Sequence, residues 1–150
     1  MNRTKKRDLK LIKDGLCTCC ASEKYMNCYI NRATRTKFCQ KCYLRVSSGR
    51  HLGSRDRWKE LLDLLEKQNF KCPYTGDNIV LAVNDSVDHI LAQSLYPDKT
   101  KDVNNMRWVT RTINHMKYDL SDNDFCAEIF KIVKHLGANN PEIIITSPQV

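Results

Sequence analysis

The chain has 150 residues, a formal net charge of +8 and eight cysteines. That length suits one ordinary domain with at most a small appended module, and no apolar run is long enough for a transmembrane helix. The charge favours an anionic partner, most simply nucleic acid.

The N-terminal stretch "MNRTKKRDLKLIKDG" is basic and lacks the apolar segment of a signal peptide. The cysteines are therefore expected in a reducing, cytoplasmic compartment, where metal binding is favoured over disulfides. Residues 1–48 read as a basic arm followed by a cysteine module. Cys17-x2-Cys20 and Cys39-x2-Cys42 are two matched pairs. Each pair forms a knuckle that aims two sulfurs at one point, and two knuckles complete a tetrahedral four-thiolate zinc site. Four protein ligands leave no open position, so this zinc is expected to be structural. Lys37 and Lys41 flank the second pair and offset thiolate charge. Cys19 can substitute for Cys17, although Cys17 keeps the better spacing, and Cys28 has no assigned partner.

"VSSGRHLGSR", Val46 to Arg55, reads as a linker with an exposed His51. Arg55 to Gln68 reads as an amphipathic helix, because Trp58, Leu61, Leu62 and Leu65 share one face and Ser54 can cap it. Pro73 and Gly76 mark a turn. Ile79–Val83 and Val87–Ile90 read as two strands of a hairpin closed by Asn84-Asp85-Ser86. "LYPDKTKDVNN" is a loop, and "MRWVTRTINHMKYDL" reads as a helix from Met106. Ser121 and Asp124 form a capping box for a last helix, with Gly137 as its C-terminal cap. Cys126 reads as a core thiol on that helix. The second domain spans 54–137, and 138–150 form a tail with room for an edge strand.

The stretch Val87 to Leu120 gathers groups that bind metal or move protons. An Asp oxygen and an Asn carbonyl oxygen are hard ligands suited to magnesium or manganese. A neutral imidazole beside them can take a proton from water. A metal with a base is an arrangement that hydrolyses phosphodiesters, while a surface pair or a capped turn is the plainer alternative for Asp88 and His89.

"VDHI" at Val87–Ile90, "NNMRWV" at Asn104–Val109 and "NHMK" at Asn114–Lys117, after the approach "FKCPYTG" at Phe70–Gly76, together resemble the HNH endonuclease family in its HNN variant. The likeness covers about a third of the chain. It implies an α+β fold with a ββα-metal core, in which hairpin, loop and helix wrap around one divalent metal. It implies that Asp88 and Asn114 hold magnesium or manganese and that His89 is the general base. Asn105 pins the loop and helps orient that base. Lys117 approaches the DNA backbone, and Arg107 and Arg111 join it on a basic face. His115, next to Asn114, is the alternative ligand; the Asn-x-x-Lys spacing favours Asn114.

Many relatives bracket this motif with cysteine pairs, but here Thr75, Thr110 and Ile113 stand where partners of Cys72 would be. Cys72 is then a packed thiol, with Trp108 and Ile113 as the hydrophobic substitute. The implied function is metal-dependent endonucleolytic cleavage of double-stranded DNA, by a restriction or a freestanding homing or phage-type enzyme, in the cytoplasm of a bacterial or phage-infected cell. A homodimer would suit a palindromic site. A non-catalytic zinc-dependent nucleic-acid-binding protein is the other expectation.

Overall fold

The computed structural model describes residues 3–25 and 37–139. Cys28 and residues 140–150, with most of the expected tail strand, lie outside them. The elements run in order as α1 (Arg3–Lys13), α2 (Gln40–His51), a 3-10 turn (Arg55–Arg57), α3 (Trp58–Lys67), β1 (Asp85–His89), β2 (Met106–Thr110), α4 (Arg111–Lys117) and α5 (Asp122–Asn139). This is an α+β chain with one two-stranded antiparallel sheet among the described residues. Among the described residues no helix is long and apolar enough to cross a membrane.

α3 forms where its apolar stripe predicts. Leu61 and Leu65 are fully buried, and Trp58, Leu62 and Leu64 pack against the same core. Ser54 accepts a hydrogen bond from Asp56 N and caps the 3-10 turn that leads into the helix. Fully burying each leucine stabilises the fold by about 1.5–3 kcal/mol. Trp108 of β2 completes this contact, and its indole donates to Leu61 O at 2.8 Å. The outer edge of a two-stranded sheet exposes unpaired backbone groups. Gln68 covers that edge, accepting from Trp108 N and donating to Trp108 O, both at 2.8 Å.

Three local expectations are corrected. Ile79–Val83 is not a strand. Asn84 Oδ1 accepts from Val80 N and Asn84 Nδ2 donates to Asn78 O, closing a compact loop with Ala82 at φ +63°. Ile79, Leu81 and Ala82 are buried, so the apolar run fills the core as a loop. Short apolar runs are ambiguous in this way. The partner of β1 is β2, in the register Asp85↔Thr110, Val87↔Trp108, Asp88↔Arg107 and His89↔Met106. The helix expected from Met106 therefore begins only at Arg111. Thr110 is its N-cap, its hydroxyl accepting from Ile113 N. Trp108 faces inward under either period, which concealed the switch from strand to helix.

The expected linker Val46–Arg55 is largely the second half of α2. Its small residues serve packing. Ser48 is fully buried and donates to Ser54 O. A Cβ on Gly49 would lie 3.1 Å from Arg55 Cγ, so glycine lets the returning chain lie close. Gly53, at φ +76°, turns the chain just after the helix. Farther on, Ser121 caps α5 by accepting from Asp124 N. Gly137 lies inside α5, not at its end, and Cys126 is exposed, not in the core.

Candidate metal centre and active-site cleft

Cys17, Cys20, Cys39 and Cys42 converge, with ligand atoms all within 4.8 Å of one another. The Cys20 and Cys39 sulfurs are 3.9 Å apart. A zinc ion with four bonds of about 2.3 Å to sulfur needs tetrahedral edges of about 3.8 Å, so these cysteines fit zinc. Cys19 is exposed and outside the cluster. The first knuckle is closed by Cys17 N donating to Glu23 O and Ala21 N donating to Cys17 O. The second sits at the start of α2, with Cys39 as N-cap, where the helix dipole favours thiolate charge. Thr18 ties the two together: its N and Oγ1 both donate to Lys37 O, at 2.9 and 3.0 Å.

Burial pushes the Cys39 thiol up to about 12 and raises Cys42 as well. Hydrogen bonds from Ser22 pull the exposed Cys20 down to about 6. Burying three thiols together is unfavourable for thiolates unless a cation replaces their protons, which is what a divalent metal does.

The second group surrounds a cleft of about 580 Å³ lined by residues of α2, β1, the following loop and α4. Asp88, His89, Asn114 and His115 all line it. β1 ends at His89, and two consecutive residues of opposite facing both line the cleft. Asn114 Nδ2 donates to Ser86 Oγ at 2.9 Å, which sets α4 on the strand face shared by Ser86 and Asp88. Its amide oxygen is the donor atom left for a cation.

His89 Nε2 lies 3.1 Å from Thr100 O and 3.0 Å from the Gln93 amide. The Thr100 carbonyl favours the proton on Nε2, with Nδ1 then the basic nitrogen, while the Gln93 amide nitrogen is a donor and favours the other tautomer. Asn105, buried at the end of a 3-10 turn just before β2, controls the carbonyl partner. Its Nδ2 donates to Leu91 O and Lys99 O, and its Oδ1 accepts from Leu91 N at 2.8 Å. These three bonds clamp the loop that carries Thr100 beside His89.

Asp88 is 4% exposed and is held by two cations. Arg107, directly across the sheet, donates to Oδ2 at 3.1 Å, and Lys117 Nζ lies 3.3 Å from Oδ1. Lys117 is 1% exposed and also donates to His89 O at 3.0 Å. It is buried inside the motif and does not reach outward to a DNA backbone as the sequence suggested. Arg107 is likewise occupied. It grips Asp122 with both terminal nitrogens, bonds to the Tyr74 hydroxyl and stacks on that ring. This contact holds the Asp122 carboxyl below the usual range against its burial. Of the three expected backbone contacts only Arg111 is exposed. Cys72 is a buried core thiol, packed in the cluster that holds Trp108 and Ile113.

Sequence reasoning missed Arg50 and His51, which line the cleft from the last turn of α2. The His51 ring lies 6.3 Å from that of His89. Burial, with His89 and Arg50 nearby, lowers its pKa to about 4. A helical reading of residues 40–51 would have placed both on one continuous element; Gly49 and the adjacent serines hid it. Comparison of the chain with protein-family models, curated proteins and solved structures finds no match.

Proposed function

We propose that this protein is an HNH-type, metal-dependent DNA endonuclease with a structural zinc module. One observation carries the reading: Asp88, His89 and Asn114, the three residues the motif likeness singles out, line one cleft. Asp88 and Asn114 would hold magnesium or manganese through oxygen, and His115 stays at the rim. When bound, such a metal supplies charge stabilisation at the scissile phosphate and leaving oxygen.

The rest is work for the chain. His89 Nδ1 takes the proton of the attacking water. Thr100 O, positioned through Asn105, accepts from Nε2 in the tautomer that leaves Nδ1 free. Arg107 and Lys117 hold the Asp88 carboxylate in place, and Lys117 anchors the His89 backbone. Zinc on the four cysteines fixes the N-terminal module and the start of α2.

A second reading has its own support. Both carboxylate oxygens of Asp88 already face cations, as suits a purely structural ion pair in a non-catalytic nucleic-acid-binding protein. Incubating supercoiled plasmid with the zinc-loaded chain and magnesium separates the two. Nicked or linear product, lost in Asn114→Ala and retained in His115→Ala, supports the nuclease. DNA retention without cleavage, in magnesium and in manganese, supports the binder.

A further inference from the structure

Resting on the nuclease reading, we infer that the last turn of α2 is part of the cleavage site, with His51 and Arg50 contacting the scissile phosphodiester beside His89. Three observations point there. Both side chains line the same cleft as Asp88, His89 and Asn114. The His51 and His89 ring centroids are 6.3 Å apart, so the two imidazoles are neighbours in the cleft and can reach one phosphodiester together. Arg50 is exposed at the rim and makes no ion pair among the described residues, unlike Arg45, Arg57 and Arg107.

His51 is outside the cysteine cluster, which is the one group of three or more His, Cys, Asp or Glu ligands among the described residues. A phosphate role suits its chemistry. A half-buried imidazole that stays neutral offers one N–H donor to a non-bridging oxygen, and the guanidinium beside it supplies the positive charge. The same helix begins at the zinc ligands Cys39 and Cys42. At 1.5 Å per residue, the module is joined to the cleft by about 18 Å of continuous helix. The zinc module therefore sets the position of the phosphate-contacting pair.

The test uses the full zinc-loaded chain. In single-turnover cleavage of saturating DNA duplex, His51→Ala is expected to slow the reaction on the order of 10²-fold, the usual effect of losing one charge-stabilising donor, with duplex affinity changed by less than about threefold. His51→Gln, which keeps an N–H donor, recovers part of the rate. Arg50→Ala weakens duplex binding across sequences and lowers the salt dependence by about one phosphate contact. Parent-level rates in both His51 variants overturn the inference.

If the parent cuts no DNA, the nuclease reading fails by itself, and proton NMR still decides the contact. The His51 ring resonance, assigned by its loss in His51→Gln, is followed while a short duplex is added without magnesium. A shift supports phosphodiester contact, and an unmoved resonance overturns it.

Discussion

The four thiol ligands sit on two local segments, each four residues long, whereas the cleft draws Asp88 and His89 from β1, Asn114 from α4 and His51 from α2. The knuckles are closed by hydrogen bonds a few residues apart, such as Cys17 N to Glu23 O. The cleft depends on bonds that join distant segments, such as Asn114 to Ser86 and Lys117 to Asp88. Charge is handled differently too. The cysteine site buries thiols that need an added cation, while Asp88 already carries two from its own chain. The local site is an all-or-none feature of folding. The distributed one can lose a member and keep its shape, and variants should show this contrast.

The largest effect is expected at zinc. Metal analysis should find about one zinc per chain, and a strong chelator or Cys42→Ser should unfold the N-terminal module, because binding energies of about 10–16 kcal/mol are folding energy for such sites. Far-UV circular dichroism reads the loss, and a full spectrum from a zinc-free chain would end the idea of a zinc-dependent module. In the cleft the opposite holds. His89→Ala should keep its thermal transition and DNA affinity while cleavage slows by about 10²–10⁴-fold. A folded His89→Ala protein that cuts at the parent rate removes His89 as the base.

Lys117→Met sharpens the comparison inside the cleft. Removing one partner of a buried ion pair costs about 3–5 kcal/mol, and the lower end applies because Arg107 still faces Asp88. Urea unfolding measures it. A loss below about 1 kcal/mol, the value of an exposed pair, would show that Lys117 is not the buried anchor.

The smallest effect is the pH response of His51. Its pKa is lowered from 6.5 to about 4 in the folded chain. The unfolded chain therefore binds the extra proton first, so the His51 contribution is complete above pH 6.5 and declines as pH falls toward 4. Comparing melting temperatures of the parent and His51→Gln across that window isolates it, and parallel curves would refute the burial of this ring.

Periodicity and spacing alone determined several features. The α3 stripe from Trp58 to Leu65 specified that helix, because burying one face at period 3.6 is a local constraint. Two Cys-x2-Cys pairs specified a four-cysteine cluster, because each pair is a self-contained turn. The capping box at Ser121 was equally local. The strand partner of β1, by contrast, was decided only in three dimensions. Ile79–Val83 is a short apolar run and Met106–Thr110 a mixed one, and the Asn84 side chain closes the first into a loop while Gln68 covers the edge of the second. The inward turn of Lys117 was equally invisible, since a lysine at a helix end reads as solvated until a buried Asp88 is placed beside it. His51 entered the cleft because Ser48 and Gly49, linker-like in composition, are small residues that a tightly packed helix requires. Local turns need only neighbouring residues, whereas a cleft is made by segments that meet across the core, and their meeting is set by packing.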